Sequence, residues 1–256
     1  VRPLLFLLAI LATSPAQAAA VRCRLEHDVL VAPAELMGVA GDYIIDTGQA
    51  ASVLAETQAQ AAGFDGQQAR GGARFAGQAR PDLTVAIADL DARTYAFETP
   101  IAGVIGEDVL AGYIVDIRFA PCWIALWPPG AEPRFRPTVR RDIALRDGAP
   151  LVDAAVSDGL TARRVSLRLS TGLDAAVRLS ADFAGAPGTP VLGKLLPNGP
   201  NRASLRALSF AGDLFENVAA GLEGQDGVEG SLGAAVLARY RVRLDLQHSR
   251  LSLAPR

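Results

Sequence analysis

The apolar positions of this chain come in short runs cut by turn residues. Residues 29–31 and 43–45 are apolar and bounded by Pro33, Gly38, Gly41 and Asp42, which predicts a pair of adjacent strands. Residues 53–62 are rich in Ala and Gln, lack β-branched clustering and stop at Gly63, so they read as a short helix. Residues 66–77 carry Gly66, Gly71, Gly72 and Gly77 around Phe75 and form either a hairpin tip or a plain surface loop. Residues 83–87 and 95–97 read as further strands. So many short strands with turn punctuation predict an all-β sandwich or barrel with few helices.

One stretch breaks this pattern in a chemically useful way. Tyr43-Ile44-Ile45 runs into Asp46-Thr47-Gly48, followed by small residues up to Ser52. Gly48 has no side chain and permits a sharp turn, so the strand ends there and offers the Asp46 carboxylate at its tip.

The second half of the chain repeats the first. Gly103-Val104-Ile105-Gly106 with Val109-Leu110-Ala111, Tyr113 and Val115 lies on Gly230-Ser231-Leu232-Gly233 with Val236-Leu237-Ala238, Tyr240 and Val242. Upstream, Ser170-Thr171-Gly172 lies on Asp46-Thr47-Gly48, with Ala175 and Val177 on Ala51 and Val53. Ser170 stands where the first copy has Asp46. Residues 129–138 are Pro-rich and read as a linker, so the expected domains are 21–128 and 139–256.

Composition narrows the function classes. With 256 residues, 50% hydrophobic and 20% charged, the chain can bury one large core or two smaller ones, and disorder is excluded. The net charge is −2 and the arginines are scattered without a dense block, so no nucleic-acid footprint is expected. Residues 1–20 read as a signal peptide: Arg2, an apolar run over 4–12, and Ala16-Gln17-Ala18 or Ala18-Ala19-Ala20 as the cleavage site. The expected location is periplasmic or secreted, with no membrane anchor after cleavage. In an oxidising compartment Cys23 and Cys122 are expected to be bridged, the alternative being two buried thiols. Two cysteines and the isolated His27 and His248 do not make a metal site, and no cofactor motif is present.

A strand ending in Asp-Thr-Gly, a small-residue segment, a flexible hairpin region, then Val104-Ile105-Gly106 before Asp108-Val109-Leu110 and a closing strand resembles the aspartic proteases. The layout is most similar to bacterial retropepsin-like proteins, in which a Ser follows the Gly by four residues, as Ser52 does here. The resemblance covers nearly the whole mature chain. It implies a two-lobed acid-protease fold of the pepsin or retropepsin kind, two related β-barrel lobes with short helices, and a cleft between them. It further implies a catalytic set of Asp46, Thr47, Gly48, Ser170, Thr171 and Gly172, an interlock of Thr47 with Thr171, and Phe75 and Gly77 as substrate-binding residues of the hairpin.

The chemistry supports part of this and resists part. Two carboxylates held together share one proton, so that one activates water while the other polarises the carbonyl. This chain supplies one of them. Ser170 donates a hydrogen bond or holds a water, but is no acid at neutral pH, and Asp174 falls opposite Ala50, where its side chain is expected to point away from the cleft. The leading expectation is an aspartic-type peptidase in which Asp46 activates water. That peptidase would pair Asp46 with Ser170 as a monomer or with Asp46 of a second copy in a homodimer; the alternative is a catalytically degenerate fold that binds peptides or proteins, and the bland reading has Asp46 capping a turn. Trp123 and Trp127 read as core or lobe packing, and Asp116 and Asp245 as solvent-facing. Residues 193–201 fall where the second copy would carry its hairpin.

Overall fold

The computed structural model describes residues 20–158, 161–184, 204–224 and 227–256. The expected signal peptide up to residue 19 and the stretch 193–201 lie outside the described residues. The first ten strands are β1 (Val21–Arg22), β2 (Arg24–Glu26), β3 (Val29–Leu36), β4 (Val39–Ile45), β5 (Val53–Ala55), β6 (Gln68–Phe75), β7 (Gln78–Ala88), β8 (Ile101–Ile105), β9 (Ile114–Phe119) and β10 (Cys122–Trp127). The second ten are β11 (Val139–Asp142), β12 (Ala144–Arg146), β13 (Ala149–Ser157), β14 (Arg163–Ser170), β15 (Val177–Ser180), β16 (Ser204–Phe210), β17 (Asp213–Glu223), β18 (Gly230–Gly233), β19 (Tyr240–Asp245) and β20 (Arg250–Pro255). Helices are single turns or little more: α1 (Glu56–Ala61), α2 (Asp91–Thr94), α3 (Glu107–Leu110), α4 (Ala181–Ala184) and α5 (Ala234–Leu237).

Two barrels follow from this order. The first sheet runs β2-β3-β4-β8-β5-β7-β6 and closes through β3 on β6; the second runs β12-β13-β14-β18-β15-β17-β16 and closes through β13 on β16. Closure leaves six strands in each ring without a free edge. A third sheet, β1-β10-β9-β19-β20-β11, is shared by the two halves and joins them where β9 pairs with β19. There Asp116 stands opposite Arg243.

The side-chain pattern explains the strands. β19 alternates strictly, with Tyr240, Val242 and Leu244 buried and Arg241, Arg243 and Asp245 half-buried on the other face. β14 does the same with Val165, Leu167 and Leu169 inward. β8 is buried throughout, as a strand between β4 and β5 with both faces covered must be. One contiguous apolar core reaches from Leu30 and Ile105 through Ile117 and Leu126 to Leu167, Leu232 and Leu253. A smaller cluster of Val29, Val31, Ile44, Ile101 and Val104 lies apart from it, with Leu90 and Phe97 packed on top.

Three local expectations change. Residues 53–55 are a strand, and only 56–61 are helical, because pairing with β7 and β8 overrides the weak helical preference of Val-Leu-Ala. Residues 95–97 are not a strand: Tyr95 ends α2 and the chain turns before β8. Asp116 does not face solvent freely, since Arg243 grips both its oxygens at 2.6 and 2.7 Å.

A disulfide joins Cys23, between β1 and β2, to Cys122, the first residue of β10, across 99 residues. A loop of that length raises stability by about 4 to 5 kcal/mol on the chain-entropy account. Among the described residues, no helix is long and apolar enough to cross a membrane.

Candidate active site

The two Thr-Gly turns meet at the centre of the molecule. β4 delivers Asp46 and β14 ends in Ser170, both almost fully buried at 5% and 6% exposure. Asp46 N–H donates to the Ile105 carbonyl of β8 at 3.0 Å, and Gly48 N–H donates to Asp46 Oδ1 at 2.9 Å, an Asx turn that fixes the carboxylate.

The lobes interlock through the threonines. Thr47 Oγ1 donates to the Leu169 carbonyl at 2.8 Å, Thr171 Oγ1 donates to the Ile45 carbonyl at 2.5 Å, and Thr47 N–H donates to Thr171 Oγ1 at 3.2 Å. Both threonines are fully buried, so each bond satisfies a group that water cannot reach. Leu30 N–H adds a further link to the Thr171 carbonyl at 2.9 Å.

The glycines are required by closeness rather than by backbone angle. A Cβ on Gly172 would fall 2.5 to 2.7 Å from the Asp46 side chain, and one on Gly48 would fall 2.8 Å from Ser170 Cβ. Each turn therefore makes room for the functional side chain of the opposite lobe.

Ser170 Oγ donates to Asp46 Oδ1 at 2.8 Å, which puts the Asp–Ser pair where the repeat would place two carboxylates. The third participant is Arg93, which nothing in the repeat announces. Its Nη2 donates at 3.0 Å both to Asp46 Oδ2 and to the Gly172 carbonyl, bridging the two lobes. Arg93 is carried by α2, in the twelve residues between β7 and β8, whereas only six separate β17 from β18 in the second lobe. The segment is seated by Leu90 and Phe97 on the small apolar cluster. His27 stacks edge-on against Phe97 at 6.0 Å, and its Nε2 meets the Ala96 carbonyl at 2.9 Å, a contact in which Nε2 must carry the proton.

A second polar brace stands behind the first turn. Ser52 Oγ donates to Asp108 Oδ1 at 2.6 Å and accepts from Gly106 N–H at 2.9 Å, while Ser52 N–H donates to Asp108 Oδ2 at 2.9 Å. The sequence marks Ser52 by its spacing from Gly48 and Asp108 by its place before Val109-Leu110, and neither position announces their contact. In the second lobe the matching positions are Ala176 and Ala235, so the lobe without the carboxylate also lacks the brace.

Asp46, Ser170 and Arg93 line a cavity of about 540 Å³ between the lobes, bounded also by Arg168, Asp174 and Arg178. Tyr95 stands at its rim, 86% exposed. Asp174 borders the cavity and is held by Arg178, not aimed at Asp46. Phe75 and Gly77 are not in this lining: Phe75 is buried in the core, and the hairpin end is held to β10 by Gln78 Nε2 donating to the Leu126 carbonyl at 3.4 Å. Ala92, Arg93, Tyr95, Ala96 and Phe97 line the cavity instead. Among the described residues, no cluster of three His, Cys, Asp or Glu could hold a metal ion.

No family model matches the sequence, and no curated protein matches it. Among solved structures the chain is similar to the aspartic proteinase from Irpex lacteus, with a TM-score of 0.53 and 12% identity over 92% of this chain and 96% of that one. An identity so low carries the architecture and not the activity, and the twin barrels, shared sheet and paired Thr-Gly turns agree with it: this chain has the two-lobed, pepsin-like fold of the aspartic proteinases.

Proposed function

We propose that the chain binds an extended peptide in the interlobe cleft and does not hydrolyse it. The observation that carries this reading is the occupancy of Asp46. Gly48 N–H and Ser170 Oγ both donate to Oδ1, and Arg93 donates to Oδ2. A carboxylate has about four acceptor positions, so three are filled by the protein itself. Hydrolysis of the aspartic type asks for a water held between two carboxylates that share a proton. Here the facing group is a hydroxyl, and an ion pair takes the acceptor that a water would use.

Binding has what it needs in the same place. Arg93 lines the cavity with its side chain 35% exposed, and its Nε and Nη1 groups have no partner among the described residues. They would donate to a ligand carbonyl. Tyr95 at the rim offers a large amphipathic surface to an extended chain. Both halves of the site come from one chain, which favours a monomer as the working unit. The Cys23–Cys122 bridge supports export to an oxidising compartment.

The test is incubation of the full chain with a mixture of unstructured peptides over about pH 3 to 8, the range in which carboxylate dyads titrate. Mass spectrometry is expected to find no new termini beyond those made by Asp46→Asn, while fluorescence anisotropy finds saturable peptide binding. Cleavage that disappears in Asp46→Asn would overturn the proposal, as would a peptide library in which nothing binds.

A further inference from the structure

The face of the shared sheet that turns away from the core carries a row of arginines that the cleft does not use. Arg22 on β1 stands opposite Trp123 on β10, and Trp123 stands opposite Arg118 on β9. One residue beyond the paired Ile117 and Val242, the antiparallel register sets Arg118 against Arg241 on β19. Opposite residues share a face, and neighbouring strands are about 5 Å apart, so the two guanidinium groups rise side by side.

Like charges directly opposed across a ladder destabilise a sheet, and neither member of this pair has a carboxylate to itself. Neither arginine has an ion-pair partner among the described residues. The carboxylate acting on Arg241 is Asp116, and Arg243 already grips it with two bonds. Burial and the charge of Arg118 hold Arg241 below its ordinary pKa. Its Nε is shielded from water and lacks an acceptor. Aromatic rings fix the planes of the groups: Arg22 lies 5.3 Å over Trp123, and Arg241 and Arg243 lie 5.2 and 4.8 Å from the ring of Phe135.

We infer that this row binds a phosphate group, held between Arg118 and Arg241 with Arg22 at its margin. Two unneutralised guanidinium groups match an anion of about two charges with three or more acceptor oxygens. A single carboxylate would satisfy one fork and leave the other. Arg22 and Arg118 are exposed and Arg241 is half-buried beneath Phe135, so the site opens to solvent on the Arg118 side, where a lipid headgroup or a free phosphate ester can reach it.

The test uses the full chain in low-salt buffer, titrated with inorganic phosphate and, at matched ionic strength, with sodium chloride. Phosphate is expected to raise the melting temperature and to saturate, and the double variant Arg118→Gln, Arg241→Gln to weaken binding by about tenfold or more. Each single variant is expected to keep or raise the melting temperature without phosphate, because opposed charges are removed; this separates lost binding from lost folding. In parallel, sedimentation with phosphatidylglycerol vesicles, against phosphatidylcholine vesicles, distinguishes the sources. Vesicle binding lost in the double variant assigns the phosphate to a lipid headgroup, and phosphate binding without vesicle binding assigns a free ester. The inference is overturned if neither probe binds, if chloride reproduces the shift, or if the double variant binds like the native chain.

Discussion

Arg93 and Asp46 form an ion pair at 3.0 Å in which the same guanidinium nitrogen also reaches the Gly172 carbonyl, so one side chain closes the gap between the facing turns. Arg93→Ala is expected to destabilise the chain by about 1 to 2 kcal/mol, as bonds to a charged group and across the lobes are lost together. It is also expected to weaken peptide binding, read by anisotropy, with Arg93→Lys restoring only part because one ammonium can replace Nη2 but not the Nε and Nη1 donors left for the ligand. New peptide termini in Arg93→Ala would instead mean that Arg93 alone suppresses hydrolysis.

The threonine interlock is expected to be uneven. Thr171→Val removes a donor to Ile45 and the acceptor of Thr47 N–H, whereas Thr47→Val removes only the donor to Leu169. Each loss strands buried polar groups at about 1 to 3 kcal/mol, so denaturant unfolding should show Thr171→Val as the costlier change. The double variant should cost less than the sum, since the two side chains share one network.

Placing the second carboxylate back is expected to be tolerated in acid and resisted near neutrality. In Ser170→Asp two buried carboxylates would face each other, and one must hold a proton that it would release in the unfolded chain. A proton held more tightly in the folded state makes stability present at low pH and lost as pH rises. The variant should therefore fall below the native chain by about 2 kcal/mol at pH 7, with the gap narrowing towards pH 4.

How far the residues announced this arrangement depends on whether they belong to the repeat. Asp46, Ser170 and the two Thr-Gly pairs were legible because the same turn occurs twice, and a turn that needs Gly leaves a mark in sequence. Arg93 was not legible: it sits in a stretch twice as long as its counterpart, and only the docking of Leu90 and Phe97 brings it to Asp46. The Ala-Gln run beginning at Val53 misled because three of its residues complete a ladder that only the folded barrel supplies. Gly71 and Gly72 suggested a flexible tip, yet they lie inside β6, a strand of the closed ring.

Alkaline titration tests the core beside the site. Burial pushes the Tyr43 phenol up to about 12 from its ordinary 10.0, and its hydroxyl donates to the Val39 carbonyl at 2.6 Å. The folded state favours the neutral phenol, so this contribution is whole below pH 10 and is lost as pH climbs to about 12. Tyr43→Phe is expected to cost about 1 kcal/mol at neutral pH and to flatten that decline. Part will remain, because Tyr240 is raised too, by burial and by Asp213. Guanidinium melts at stepped pH read both effects.

The contact between Asp116 and Arg243 also decides which half accepts which. The two residues are 127 apart, the same offset that lays Gly103 on Gly230, so they are equivalent positions meeting at the pseudo-twofold axis. Two first lobes joined in this manner would oppose aspartate to aspartate, and two second lobes would oppose arginine to arginine. Unlike halves alone satisfy the junction. Arg243→Asp should lower the melting temperature of the intact chain, and adding Asp116→Arg should recover much of the loss. A chain built of two like halves thus carries, in a single contact, the means of refusing a second copy of either half.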